Sequence, residues 1–407
     1  MTKKKEKKRD LNAEAGVSYD DLDPFKIACL EAARKMLGRN LLKAGYRVLD
    51  WSRGESVFLI EKPGRHVIGL TIEGLGTKNQ VPEMLAADRE RAIGETLALQ
   101  VIAEELEALG LSPDELWENV GICNANTVFN DMASLGVPPF VFNLFLAIGS
   151  SAWATRERRR AALIRGTAKV VEEVGATWGG GETQRLGDGQ VGEAHAVLAG
   201  AALGIVDPPD LLIRGDVKPG DGLIALDSTG LHANGYSTAR GVARKLKNGM
   251  LTELADGTLY GQALMAPTAS YSPFIQALIS AGIQIRYVVP MTGHGVRKLM
   301  RLQLPYDYEL VSIPKPQPVF DLIQRTEQAT DREMYETYNM GMGCVLVVRG
   351  KDVGSVLHFA RVSGFGMRGI RAREAGGVTK NKKGERRVIM PSRLKMEPFQ
   401  GSELSIR

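Results

Sequence analysis

The chain has 407 residues, of which 44% are hydrophobic and 24% are charged, and its net charge is +5. This length predicts two or three domains, and the composition is that of a soluble globular protein. The three cysteines share no metal-ligand spacing, and their odd number argues against a disulfide framework, which favours a cytoplasmic location. The most apolar stretch, residues 136–149, is too short to span a bilayer, so we expect no membrane segment. No apolar region follows the basic residues 1–9, so we expect no secretory signal.

Positive charge is concentrated towards the two ends of the chain. Six of the first nine residues are Lys or Arg, and residues 367–395 are dense in both. Such segments are typical of nucleic-acid binding or of solvated, mobile tails. Tails are favoured, and nucleic acid is not expected as a partner, because neither end interleaves aromatic residues that could stack on bases.

Residues 1–12 are predicted to form a disordered basic tail, and alternating strand and helix patterns follow it. The strand patterns of the first half cover residues 57–60, 66–73, 120–123, 140–148 and 195–206. Its helix patterns cover residues 25–34, 82–110, 129–135 and 155–174, with Thr155 as the expected N-cap of the last.

A joint between two domains is predicted at residues 208–220, where prolines and glycines accumulate. Beyond it, strand patterns cover residues 222–226, 283–289 and 344–348, and helix patterns cover 236–246, 273–281 and 318–323. Strands that alternate with helices across two halves predict a two-domain α/β or α+β protein.

Five turn-rich clusters place small residues beside polar groups. This combination lets the backbone approach a phosphate closely. In chain order they are Glu73-Gly-Leu-Gly-Thr-Lys78, Asn130-Asp131, Gly179-Gly-Gly-Glu-Thr183, Ser228-Thr-Gly-Leu-His-Ala-Asn-Gly-Tyr236 and Tyr338-Asn-Met-Gly-Met-Gly343. Five such clusters in series predict an enzyme of ATP-dependent group transfer.

Three of the clusters have alternative interpretations. The 73–78 run is typical of an anion-binding loop or of an ordinary connection, and it lacks the spacing of a Walker A loop. Asn130 and Asp131 could help to hold Mg²⁺ with nucleotide phosphates or could cap a helix. The final run, 338–343, could approach a ligand or provide the tight entry to a buried strand.

The other two clusters favour ligand binding more clearly. The 179–183 run follows a predicted helix and has more glycine than a helix terminus needs. The 228–236 run follows a strand and leads into a helix, a position that favours phosphate binding. Within it, His232 and Asn234 could donate hydrogen bonds, and the polar loop argues against a core role for His232.

In order and content these clusters resemble the aminoimidazole ribonucleotide synthetase family, also called phosphoribosylformylglycinamidine cyclo-ligase. The similarity extends over about residues 15–348, and the 228–236 and 338–343 runs are its most specific parts. The resemblance implies an N-terminal domain over residues 13–212 that shares a barrel-like sheet across a dimer. It also implies a C-terminal α/β domain over residues 213–358, followed by a basic extension over residues 359–407.

The resemblance further implies a reaction, in which ATP phosphorylates the formyl oxygen of formylglycinamidine ribonucleotide and the imidazole ring then closes. Glu73 and Asp131 would hold Mg²⁺, and His232 and Asn234 would face the reacting groups. The residues that would bind the nucleotide are Gly74, Gly76, Thr77, Lys78, Asn130, Gly180, Gly181, Glu182 and Thr183.

Four positions depart from the family pattern. Glu73 and Cys123 stand where the family has Asp, Ala13 where it has Lys, and His294 where it has Gly. A neutral thiol is a poor ligand for Mg²⁺. The helical segment 82–116 and the basic extension are also unusual. Two rival hypotheses therefore remain: a phosphotransferase of the same superfamily that acts on another small acceptor, and a catalytically silent protein that binds nucleotides or nucleic acid.

Overall fold

The computed structural model describes residues 9–36, 38–95, 112–365 and 370–404, which form two β-sheets with helices packed against them. The strands of the first sheet lie between residues 47 and 206, and those of the second between residues 222 and 400. The predicted α+β fold class is confirmed. The domain boundary at residues 212/213 stays a prediction.

The first sheet has six strands. They are β1 Arg47–Val48, β2 Phe58–Lys62, β3 His66–Gly74, β4 Pro139–Ile148, β5 Thr177–Arg185 and β6 Ala196–Val206. Their order is β1-β2-β3-β6-β4-β5; β4 and β5 run parallel, and the other neighbours are antiparallel. The 179–183 run therefore lies inside edge strand β5, and the prediction that it forms a turn is wrong. Pairing with β4 keeps this glycine-rich segment in a strand.

Helices of the first half pack on this sheet and on the second half of the chain. They are α1 Leu11–Glu14, α2 Tyr19–Arg34, α3 Arg39–Lys43, α4 Val81–Glu95, α5 Trp117–Ser134, α6 Ser151–Thr155 and α7 Glu157–Glu173. α5 packs on β3 and β6 and is itself covered by α7. Its Val128, Phe129 and Met132 form a core with Phe142 of β4.

Several predictions of local structure are wrong. Residues 120–123 belong to helix α5 and not to a strand. Because α5 is buried on almost every side, its run of apolar residues has the same pattern as a buried strand. Thr155 ends α6, and the extended backbone of Arg156 separates α6 from α7. Residues 10–12 are not disordered: α1 begins at Leu11, which is buried. Of the predicted helix 82–110, α4 covers residues up to Glu95, and residues 96–110 lie outside the described ranges.

The second sheet has seven strands. They are β7 Gly222–Asp227, β8 Ile285–Pro290, β9 Tyr306–Leu310, β10 Met342–Val348, β11 Ala372–Lys380, β12 Arg387–Ile389 and β13 Phe399–Gln400. Their order is β13-β12-β9-β11-β7-β10-β8. The accompanying helices are α8 Tyr236–Lys245, α9 Tyr260–Leu264, α10 Ser272–Ser280, α11 Pro318–Glu327, α12 Asp331–Thr337 and α13 Val353–Val362.

The basic C-terminal region is part of this sheet, so the prediction of a mobile tail at residues 367–395 is wrong for its described residues. β11 lies between β9 and β7. Several of its basic side chains are bound internally: the Arg387 Nε, for example, lies 2.8 Å from Asp307 Oδ1. Part of its charge is therefore used within the fold. Among the described residues, no helix is long and apolar enough to cross a membrane.

Candidate functional site

A cavity of about 850 Å³ lies where the two halves of the chain meet. Glu73 at the end of β3 and Asp131 in α5 contribute carboxylates to it. From the second half come Asn234, in the loop before α8, and Lys298, in the 3-10 helix Gly295–Met300. α2 closes another side with residues that include Phe25. The fold thus brings together polar side chains from four distant parts of the chain.

The carboxyl groups of Glu73 and Asp131 lie close enough to form a hydrogen bond, and such a bond needs a proton on one of the two groups. Burial, together with the neighbouring Asp131, raises the pKa of Glu73 to about 8. Burial also raises the pKa of Asp131, and the nearby Lys298 opposes that shift. These two residues, which we call the acid pair, therefore hold a shared proton near neutral pH that a cation could displace.

Lys298 faces the acid pair from the second half of the chain. Its Nζ donates a hydrogen bond to Thr292 Oγ1 at 2.8 Å. Burial lowers the pKa of Lys298 to about 8, while the charge of Asp131 opposes the change. The sequence analysis missed this residue. The available signal was the Gly293-His-Gly295 turn, which directly follows strand β8 and leads into basic residues.

The 73–78 run is divided between the cavity and the protein interior. Gly74 lines the cavity, and Gly76 and Thr77 lie in the loop that follows. Lys78, in contrast, is completely buried. Its Nζ donates to the carbonyl oxygens of His232 at 2.9 Å and Ala266 at 2.6 Å. In this structure Lys78 holds the 228–236 loop in place and is not exposed to a phosphate in the cavity.

His232 is also buried, with 2% of its surface exposed, so the expectation that its polar loop keeps it out of the core is wrong. Its Nε2 accepts a hydrogen bond from the backbone N–H of Thr229 at 3.3 Å, and its ring packs near Tyr271. Burial lowers the pKa of His232 to about 3, so the imidazole is neutral. Asn234, two residues later, does line the cavity. No observation tests the catalytic roles predicted for these two side chains.

Asn130 connects the two halves of the chain. Its Nδ2 donates to the carbonyl oxygen of Ala269 at 2.8 Å, and its Oδ1 accepts from the N–H of Tyr271 at 2.9 Å. One turn earlier, Asn126 donates to the carbonyl oxygen of Thr268. Cys123 is buried, and its Sγ accepts from the Thr268 N–H at 3.2 Å. Asn130 thus has a structural role, since its Nδ2 and its Oδ1 are both hydrogen-bonded to the second half of the chain.

The glycine-rich run on β5 lies away from the acid pair. Gly180, Gly181, Glu182 and Thr183 are exposed on this edge strand. Gly181 is aligned with Glu73 through Leu144 and Gly200, so three strand spacings of about 4.8 Å separate the two residues by about 14 Å. One chain alone therefore does not bring the two predicted nucleotide-binding clusters together.

The 338–343 run packs against the 228–236 loop and is hydrogen-bonded to it. Asn339 Nδ2 donates to the carbonyl oxygen of Gly230 at 2.8 Å, and the carbonyl oxygen of Gly341 accepts from the Ser228 N–H at 2.8 Å. A side chain at Gly343 would overlap Tyr271 and His232. Its glycines are therefore explained by close packing between loops.

The sequence is similar to proteins of a known family. Residues 97–206 match the family model of the AIR synthase related protein, N-terminal domain. The phosphoribosylformylglycinamidine cyclo-ligase of Myxococcus xanthus is 35% identical over 269 residues, which cover 64% of this chain and 73% of that protein. The enzyme of the same name from Methanocaldococcus jannaschii is 32% identical, over 60% of this chain and 68% of that protein.

This chain belongs to the phosphoribosylformylglycinamidine cyclo-ligase family. The family prediction made from the turn-rich clusters is thereby confirmed. Solved structures agree on the fold. T. maritima PurL complexed with FGAR superposes with a TM-score of 0.53 at 13% identity, covering 87% of this chain and 48% of that chain. Hydrogenase maturation protein HypE in complex with ATP gives 0.51 at 14% identity, covering 71% and 79%.

Proposed function

We propose that this member of the cyclo-ligase family closes the imidazole ring of aminoimidazole ribonucleotide, using ATP and formylglycinamidine ribonucleotide. The observation that carries the proposal is the acid pair, which lies in a cavity together with Asn234 and Lys298. Buried carboxylates beside a lysine and an amide are suited to binding a metal–nucleotide complex and to neutralising phosphate charge.

The reaction has two steps. First, the formyl oxygen attacks the γ-phosphorus of ATP: the O–P bond forms, the bond from phosphorus to the β-phosphate oxygen breaks, ADP leaves and the amide nitrogen loses its proton. The amidine nitrogen then attacks the formyl carbon, the C–O bond to phosphate breaks, and that nitrogen releases its proton. A proton then moves from the ring CH₂ to the exocyclic imine nitrogen, which makes the ring aromatic. Little covalent work falls to the protein, whose side chains position the reactants and balance their charge.

The acid pair fits Mg²⁺. Mg²⁺ in nucleotide enzymes is commonly held by one or two carboxylates, with phosphate and water oxygens completing its shell. Among the described residues, no group of three or more His, Cys, Asp and Glu side chains could hold a metal. Glu73 and Asp131 would thus be the protein ligands, and a bound Mg²⁺ would supply charge neutralisation at the phosphates. Asn234 can orient the substrate from the opposite loop.

Mg²⁺ binding should strengthen as the pH rises, because the metal must displace the proton shared by Glu73 and Asp131. With the pKa of Glu73 near 8, apparent affinity should increase about twentyfold between pH 6.5 and 8.5. Deprotonation of Lys298, whose pKa is also about 8, acts in the same direction. The measurement is the Mg²⁺ concentration for half-maximal turnover across this range. Glu73→Gln should flatten the dependence, and an equally steep wild-type and variant profile would contradict the shared proton.

A homodimer is supported by the uncovered face of the first sheet. Its exposed apolar side chains are Leu70, Ile72, Val141, Val197 and Leu203. Leu70 and Leu203 lie directly opposite each other across β3 and β6, so the patch crosses several strands. Extended apolar patches of this kind mark interaction sites. We propose that a second copy of the chain covers this face.

Ile72→Lys tests the proposed dimer, because Ile72 is 73% exposed and the new charge would be buried in the interface. We expect the variant to be monomeric at micromolar concentration by analytical ultracentrifugation. Val311→Lys is the matched control, since Val311 is 68% exposed but lies outside the first sheet. An Ile72→Lys protein with the sedimentation of wild type would exclude this face as the interface.

The test of the function is an assay of the purified protein with formylglycinamidine ribonucleotide, ATP and Mg²⁺. ADP and aminoimidazole ribonucleotide should form in equal amounts, and omission of the ribonucleotide should abolish ADP release. No ADP release on adding the ribonucleotide would reject the assignment. ADP release stimulated by a different small acceptor would instead favour the phosphotransferase alternative.

A further inference from the structure

Lys298 is brought into the cavity by a turn that other basic residues hold in place. Arg301, one turn later, donates to the carbonyl oxygen of Gly54, and its Nε lies 3.5 Å from Glu55 Oε2. Arg297 donates to the carbonyl oxygens of three residues, His294, Glu336 and Glu403, each at 3.2 Å. Both arginines are therefore used to fix the backbone of the turn.

Lys298 is placed differently from these two arginines. Its Nζ donates to a single hydroxyl, that of Thr292, and it lines the same cavity as the Asp131 and Glu73 carboxylates. Arg301 also lines this cavity, and Arg297 does not. An ammonium group needs up to three acceptors, and a bound phosphate would supply them.

We propose that Lys298 is a catalytic residue whose Nζ donates hydrogen bonds to the γ-phosphoryl group of ATP. The inference rests on the proposed function, because it assumes that ATP occupies this cavity. Glu73 and Asp131 would hold the Mg²⁺ that accompanies ATP, and this ion would supply charge neutralisation at the phosphates. A cation that faces the carboxylates is then also within reach of the phosphate oxygens.

Lys298 keeps its proton throughout this step. The O–P bond to the formyl oxygen forms as the bond to the β-phosphate oxygen breaks, and the ammonium group stays beside the transferred phosphoryl oxygens. Lysine acts on phosphate as a compact point charge, so the length and position of the side chain matter as well as its sign. The competing explanation is a purely structural ion pair between Lys298 and the acid pair.

The experiment compares the binding of two Mg²⁺–nucleotide complexes, the β,γ-imido analogue of ATP and ADP, to folded wild type and variants. Lys298→Met should weaken binding of the triphosphate analogue by about tenfold or more and that of ADP by no more than about threefold. Lys298→Arg keeps the charge and should retain most of the preference for the triphosphate. Lys351→Met is the matched control, because Lys351 is exposed on the 3-10 turn Gly350–Asp352. It should bind both nucleotides as wild type does.

A structural role would give a different result. If Lys298→Met lost affinity equally for the two nucleotides, or for neither, the proposed contact with the γ-phosphoryl group would be overturned. Should Lys298→Met fail to fold, Lys298→Ala measured with and without added propylammonium decides the question. Recovery of the triphosphate preference with the amine supports the contact, and no recovery rejects it.

The turnover assay separates this inference from the function on which it rests. A wild-type protein that makes no aminoimidazole ribonucleotide would reject the cyclo-ligase assignment, whereas the ratio of the two nucleotide affinities would still decide the role of Lys298. Conversely, an active wild type and an unchanged affinity ratio in Lys298→Met would reject Lys298 alone.

Discussion

Replacing Asp131 with asparagine is expected to lower turnover by about 100-fold and to raise the Mg²⁺ concentration needed for half-maximal rate. The new amide side chain could still hydrogen-bond with Glu73 and Ser56, both of which contact Asp131 in the folded protein. The substitution removes one of two buried carboxylates that repel each other when ionised. Stability should therefore stay the same or increase while activity falls, as is typical of a site strained for function.

Steady-state kinetics across a Mg²⁺ titration and thermal melting measure these two effects. Asp188→Asn is the control, because the side chain of Asp188 is 92% exposed and lies outside the cavity. If Asp131→Asn had a wild-type Mg²⁺ requirement, Asp131 would not be a metal ligand. If activity and melting temperature fell together, the lost rate would be explained by unfolding.

Local patterns were sufficient to predict much of the fold. The strand patterns 66–73 and 140–148 correspond to β3 His66–Gly74 and β4 Pro139–Ile148, because each strand combines β-branched or aromatic residues with clear turn signals at its ends. The pattern failed at 120–123, where a helix buried on most sides has no polar stripe. Periodicity cannot distinguish such a helix segment from a short buried strand.

The C-terminal extension could not be predicted from charge alone. Arg387 on β12 forms a two-pronged ion pair with Asp307 on β9, 80 positions earlier in the chain. From charge alone, a segment dense in Lys and Arg is predicted to be exposed to solvent. The carboxylates that pair with it lie far away in the sequence, so the pairing is not visible there. Pairing between distant strands determines which of these charges are exposed.

Only part of the candidate site could be predicted from the sequence, because the sequence does not show which way a loop residue faces. Motif content identified Glu73, Asp131 and Asn234, all of which line one cavity. It could not distinguish a loop residue that faces the cavity from one that faces the interior. His232 lies two positions from Asn234 and is buried, and its left-handed backbone, with φ of 61°, turns the loop at that point.

Lys78 is a second residue that faces the interior although the sequence predicts contact with a phosphate. The substitution Lys78→Met tests its structural role. The substitution would leave the carbonyl oxygens of His232 and Ala266 buried without their donor. Each unsatisfied carbonyl costs about 1–3 kcal/mol, and removal of the buried ammonium offsets part of this loss. We expect a net decrease of about 2 kcal/mol in the free energy of unfolding, measured by urea denaturation.

Nucleotide affinity distinguishes this structural role from the phosphate-binding role that the sequence predicts. Because Lys78 is buried behind the 228–236 loop, folded Lys78→Met should bind the Mg²⁺ complex of the ATP analogue within about threefold of wild type. Lys169→Met is the control, since Lys169 is exposed on α7, and it should change neither property. A variant of wild-type stability that had lost nucleotide binding would show instead that Lys78 turns into the cavity when the nucleotide binds, and that the sequence-based role is correct.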